Sequence, residues 1–220
     1  MTVHEVARAL PGIEDLRDHC RGLATLDAVL CPEWDYRFFS FDAHWAEGEH
    51  LASMRDGMGS EFSIVFSAAG AYVRGFDHRS LMSPWASPDV PAVWPGVLDE
   101  VPDVFRAYVS EPAFRDKDGV PTVTCCLWRE AGDTAWRAGA VEFPEGGDGD
   151  PDGADVLFEL LVDRSPQAYA AWASDYYETT VDAEAVRAVL TGRPLTRQLV
   201  AGLNPDVELA DLAADIERIG

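Results

Sequence analysis

Apolar residues at Ile13, Leu16, Cys20, Leu23 and then Leu26 or Leu30 recur at helical spacing, which predicts an amphipathic helix over 13–30. Pro11 and Gly12 separate it from a short helix within Met1–Leu10, and Cys31-Pro32 ends it. The aromatic run from Trp34 to Phe41 predicts a strand. At 61–76 the period becomes two. Phe62, Ile64 and Phe66 alternate with Glu61, Ser63 and Val65, Ala68-Ala69-Gly70 supplies a turn, and Ala71–Phe76 returns as the partner strand. A second hairpin is predicted from Thr122–Trp128, a Gly132-Asp133 turn and Ala135–Phe143. Between the hairpins, prolines 84, 88, 91, 95 and 102 predict an irregular crossing anchored by Trp85 and Trp94. Pro102 suits the first turn of a helix that buries Val104, Phe105, Tyr108 and Val109.

The remainder reads as helical. Val156, Leu157, Leu160 and Leu161 predict one helix, and Ser165-Pro166 an N-cap and first turn for another that runs to about Tyr177. Further helices are predicted at 183–190, 196–203 and 206–219. The fold class that follows is α+β: an antiparallel sheet built from two hairpins, with N-terminal and C-terminal helices packed on it. One domain over 1–220 is expected, its C-terminal third helical from about residue 154.

Charge changes this picture more than composition does. Seventeen basic residues against 39 acidic ones give a net charge of −22, and Lys117 is the only lysine. Such a field repels phosphate, so direct nucleic-acid binding is disfavoured. It suits either solubility in a saline habitat or a basic protein partner matched by carboxylates. No apolar run has the length of a membrane span, and no basic head precedes an apolar block at the N-terminus. The expectation is a cytoplasmic protein. Cys20, Cys31, Cys125 and Cys126 fit no metal spacing and are expected as reduced, mostly buried thiols.

Four stretches carry candidate chemistry. From Asp148, through Asp150, Asp152 and Gly153, to Glu159 the chain matches the calcium-loop formula position for position. Carboxylates at Asp148, Asp150 and Asp152, with Glu159, could gather oxygens around Ca2+. The preceding segment reads as a strand rather than an entering helix, and the alternative is an acidic turn whose Asp152 caps the next helix. His44–His50 gathers possible ligands but reads as a solvated loop or helix start. Arg55–Gly59 precedes a strand, which favours a turn with glycines at positive φ over a phosphate loop. Arg55, Arg74, Asp77, His78 and Arg79 give the end of the first hairpin a local basic character. They could hold an anionic ligand, or pair internally with Asp56 and Asp77. Ser80 has no nucleophile elbow, and an Asp-His pair is not a triad.

The run Ser53–Ser83, with Gly57, Gly59 and Phe62 before the Asp77-His78 pair and a helix near Phe105, resembles a family of uncharacterised bacterial proteins. More distantly it resembles the SUKH superfamily, many members of which are immunity proteins that neutralise toxins. The resemblance implies a non-enzymatic protein that occludes a basic partner. The alternatives are a small-molecule binder or hydrolase at Asp77, His78 and Arg79, and a calcium module at 148–159.

Overall fold

The computed structural model describes residues 1–86, 90–145 and 149–220, so Pro88 of the proline-rich crossing and Asp148 of the acidic loop lie outside the described residues. Five antiparallel strands form one meandering sheet in chain order: β1 (Phe39–Ala46), β2 (Glu49–Arg55), β3 (Glu61–Ser67), β4 (Gly70–Phe76) and β5 (Cys125–Glu130). The fold is α+β, as the sequence patterning requires. Among the described residues no helix is long and apolar enough to cross a membrane.

Period-two alternation sorts each strand's side chains onto two faces. The first face presents Phe39, Phe41, Ala52, Met54, Phe62, Ile64, Phe66, Val73, Cys125 and Leu127 to the larger core. Helices cover it: α1 (Val3–Ala9), α2 (Ile13–Leu30), α4 (Ala154–Val162), α5 (Pro166–Tyr176), α6 (Ala183–Leu190) and α7 (Arg197–Leu203) all contribute buried residues there. The last helix, α8 (Ala213–Ile219), lies against β1 and α2. The second face presents Val65, Tyr72, Cys126 and Trp128 to a smaller core that contains Met82, Val97, Val101, Phe105, Tyr108 and Phe114 from the irregular crossing. Cys125 and Cys126 therefore point to opposite faces, and all four cysteines are free.

Tertiary contacts redrew several predicted elements. Residues Trp34–Tyr36 form a 3-10 turn, and the strand begins only at Phe39. The reason is the inward turn of Arg37, whose guanidinium donates to the carbonyls of Cys31 and Pro32 and pairs with Asp215. Asp27, wholly buried, accepts from the backbone N–H groups of Phe38 and Phe39 at 2.9 and 2.7 Å and from the Tyr169 hydroxyl at 2.8 Å. One carboxylate thus joins α2, β1 and α5. Burial pushes it up to about 6 despite those donors.

The His44–His50 segment is neither loop nor helix start. It closes β1 onto β2, with Ala46 opposite Glu49 and Gly48 at φ +72°. With β2–β3 and β3–β4 it makes three consecutive hairpins in the sheet. The segment 135–143 returns beside β5 with a single bridge, Trp128 to Arg137. Its remaining polar groups serve the crossing instead: Trp94 Nε1 donates to the Glu142 carbonyl at 2.9 Å, and the Ala140 N–H to Glu100. The Pro102 segment is a 3-10 turn, Asp103–Phe105, followed by one short helix, α3 (Arg106–Val109). Phe105 and Tyr108 are buried, whereas Val104 is exposed, because the tighter turn rotates it outward. Ser165 caps α5 by accepting from the Ala168 N–H, with Pro166 at the first position.

Candidate functional site

The five basic-region residues do not converge on one place. Asp77, His78 and Arg79 lie just beyond β4, where Asp56, Gly57 and Gly59 turn the chain from β2 into β3. Asp56 Oδ1 accepts from the N–H groups of Met58, Gly59 and Ser60, and Gly57 and Gly59 adopt φ +73° and +113°. Ser60 links that turn to the next. Its Oγ is 2.8 Å from His78 Nδ1 and 3.2 Å from Asp77 Oδ1. Asp77 Oδ1 also accepts from the Arg79 N–H at 2.9 Å and lies 3.6 Å from Arg79 Nε.

A serine, a histidine and an aspartate are therefore close together, but in an order unlike a relay. In a triad the carboxylate holds the histidine nitrogen opposite the one that faces the nucleophile. Here Asp77 and Ser60 are both on the Nδ1 side, with Asp77 Oδ1 3.9 Å from that nitrogen. Ser60 is buried, which keeps a substrate from its hydroxyl. The cluster holds two turns together.

Arg55 and Arg74 lie elsewhere, on the sheet's second face. Arg74 is 3 % exposed; its guanidinium donates to the Thr122 carbonyl and Glu61 at 2.6 Å and to Ser63 Oγ at 3.3 Å, and rests 4.6 Å from the Phe114 ring. Its Nε has no partner among the described residues. Arg55 is exposed at the end of β2 and makes no ion pair among the described residues. Asp56 is occupied by its own turn and makes no ion pair among the described residues, whereas the anticipated pairing with Asp77 is made by Arg79.

In the acidic loop, Asp150 caps α4 by accepting from the N–H groups of Asp155 and Val156 at 3.0 and 3.2 Å. Asp152 is fully buried, with Oδ2 bound to the Val3 N–H at 2.8 Å and Oδ1 to the Ala154 N–H at 3.2 Å. Burial pushes it up to about 6. Gly153, at φ +77°, passes so close to the Asp77 side chain that no Cβ fits. Glu159 is exposed on α4. The carboxylates of Asp150 and Asp152 thus serve the helix start and the α1 junction, and no group of three or more potential metal ligands occurs among the described residues.

Sequence patterning missed a surface near the start of β1. Tyr36 and Tyr176 are 69 % and 41 % exposed. They belong to segments that meet through Phe38, whose ring packs edge-on to Tyr176 at 5.0 Å. Trp172 stacks behind Tyr176 at 5.1 Å. The exposed charged residues on these two segments, Glu33, Asp35, Asp175 and Glu178, are all carboxylates. The Tyr176-Tyr177 pair is visible in the sequence; the packing of Tyr176 against Phe38, two residues after Tyr36, is not. No family model matches the chain, and no curated protein or solved structure matches it.

Proposed function

We propose that this chain is a non-enzymatic binding protein of the immunity type, which occludes a basic partner protein. The observation that carries the reading is the pair of exposed tyrosines, Tyr36 and Tyr176, set among Glu33, Asp35, Asp175 and Glu178 on a chain of net charge −22. Aromatic side chains backed by a packed core make good interface anchors, because little rotamer freedom is lost on binding. Carboxylates around them steer a cationic surface into register and repel nucleic acid. The Gly57–Gly59 turn and the Asp77-His78 pair, which carry the resemblance to immunity proteins, are joined through Ser60. A hydrolase reading is weaker, since the serine in that cluster is buried and the carboxylate is on the wrong side of the histidine.

The test is capture from native lysate at low and high salt, with the wild type beside a Tyr36→Ala/Tyr176→Ala variant. A stoichiometric basic protein should be held at low salt and released as screening rises. With that protein purified, the double variant should bind at least about 30-fold more weakly, the loss that a single hot-spot anchor already brings. Binding indifferent to both salt and the substitutions overturns the reading.

A further inference from the structure

The second face of the sheet is most apolar where the irregular crossing and α3 cover it. Beyond that cover, toward β1 and β2, the floor changes to Ser40, Ser53 and Ser63, with Ser40 and Ser53 hydroxyls 2.7 Å apart. A cleft of about 300 Å³ opens over this floor, with Trp34, Trp45 and Phe114 among its walls. That volume is at the small end of ligand sites.

Its electrostatics run against the rest of the molecule. Three guanidiniums, Arg55, Arg74 and Arg218, line the cleft with two carboxylates, Asp42 and Glu61. Glu61 is bound by Arg74, and Asp42 by Arg218 Nε at 3.1 Å. Both carboxylates are thereby neutralised, while Arg55 makes no ion pair among the described residues. Arg74 is a buried charge beneath the floor, with Nε lacking a partner among the described residues. Arg218 lies over the Trp34 ring at 4.4 Å, so a cation already stands against an aromatic wall.

We propose that this cleft binds a small aromatic carboxylate. The planar guanidinium fork of Arg55, which meets no carboxylate among the described residues, suits a carboxylate's two oxygens, with Arg218 lining the same cleft, and the serine hydroxyls can supply further donors. The indole walls suit a flat apolar body. Arg55 leaves the lining with one guanidinium that no carboxylate offsets among the described residues, so the cleft prefers an anion on a molecule that is otherwise acidic. This role goes beyond the binding of a basic partner and does not depend on it: Tyr36 and Tyr176 do not line the cleft.

The test uses benzoate, benzylamine and inorganic phosphate as probes of the purified protein, read by protein-observed NMR. Benzoate should bind at millimolar concentration or below and shift resonances of Ser40, Ser53 and the Trp34 and Trp45 indoles. Benzylamine should not bind. An Arg55→Gln/Arg218→Gln variant, both residues being surface-exposed, should bind benzoate on the order of tenfold more weakly while its melting temperature changes little. Ser53→Val should weaken it as well, independently of the arginines. Absence of benzoate shifts at these residues overturns the proposal, as does equal affinity for the double variant. Phosphate binding as tightly as benzoate overturns the aromatic specificity.

Discussion

The two faces of the sheet are built from the same five strands and have opposite characters. The first is sealed by helices and presents Phe41, Phe62, Ile64 and Val73, each no more than 2 % exposed. The second is sealed over β4 and β5 by proline-rich chain and left polar toward β1 and β2. Regular helices can tile a whole face because their apolar stripes are continuous. An irregular crossing has no continuous stripe, and some of its side chains serve other backbone, as Trp94 and Glu100 do for the 140–142 segment. The uncovered remainder is where side chains such as Ser53 and Arg55 are released from packing duty.

Truncating a side chain on each face should give unequal losses of stability. Phe158→Ala, which removes a fully buried ring packed 5.7 Å from Phe62, should cost about 3–5 kcal/mol in chemical denaturation. Ser53→Ala on the open half of the second face should cost within about 0.5 kcal/mol. Equal losses would mean that the open half of the second face supports the fold as strongly as the helix-covered one.

A smaller effect is expected at Gly75, where β4 passes under α4. A Cβ there would meet Cys125 Sγ at 2.6 Å and the side chains of Leu157 and Phe158 at 2.9 Å. Gly75→Ala should therefore destabilise by about 1–3 kcal/mol through overpacking, measured by the same unfolding curve. A neutral result would show that α4 is free to shift on the sheet.

The helical side also carries a pH signature near neutrality, at His19. His19 is buried on α2, with Nε2 2.7 Å from the Leu160 carbonyl, and burial lowers it to about 4. The unfolded chain then takes up a proton that the folded one refuses, so His19 withdraws stability as pH falls from 6.5 towards 4. Asp27 and Asp152, raised to about 6, act oppositely: the folded chain protonates them first, and stability returns as pH falls through that value. His19→Gln should keep the donor to Leu160 and remove the penalty. Between about pH 7 and pH 5 the variant should gain about 2 kcal/mol relative to the wild type, read from denaturant midpoints at the two pH values. An unchanged difference would place the histidine's proton affinity at its ordinary value.

Local pattern was enough for α2, for the β3–β4 hairpin and for the capped start of α5, because each carries its own periodicity and punctuation within one stretch of chain. It was not enough for β1 and β2. Their outward positions, Asp42, His44, Ser53 and Arg55, look like loop residues until the turn at Gly48 pairs the strands. The candidate basic site shows the same limit. Arg55, Arg74, Asp77, His78 and Arg79 are near in sequence, yet strand alternation and the end of β4 send them to two separate sites.

By itself the amino-acid sequence determined the fold class, the acidic field and most helix ends, since these depend on spacing and on residue type summed along the chain. Tertiary structure alone decided what the polar side chains do. Asp27 and Arg37 delay the start of a predicted strand to Phe39 because they bind backbone groups from their own and neighbouring segments. Asp150 and Asp152 became helix and junction anchors because the N–H groups that need them belong to α4 and α1. A side chain's hydrogen-bond partner is set by three-dimensional proximity, and chain spacing carries little of that information across a turn.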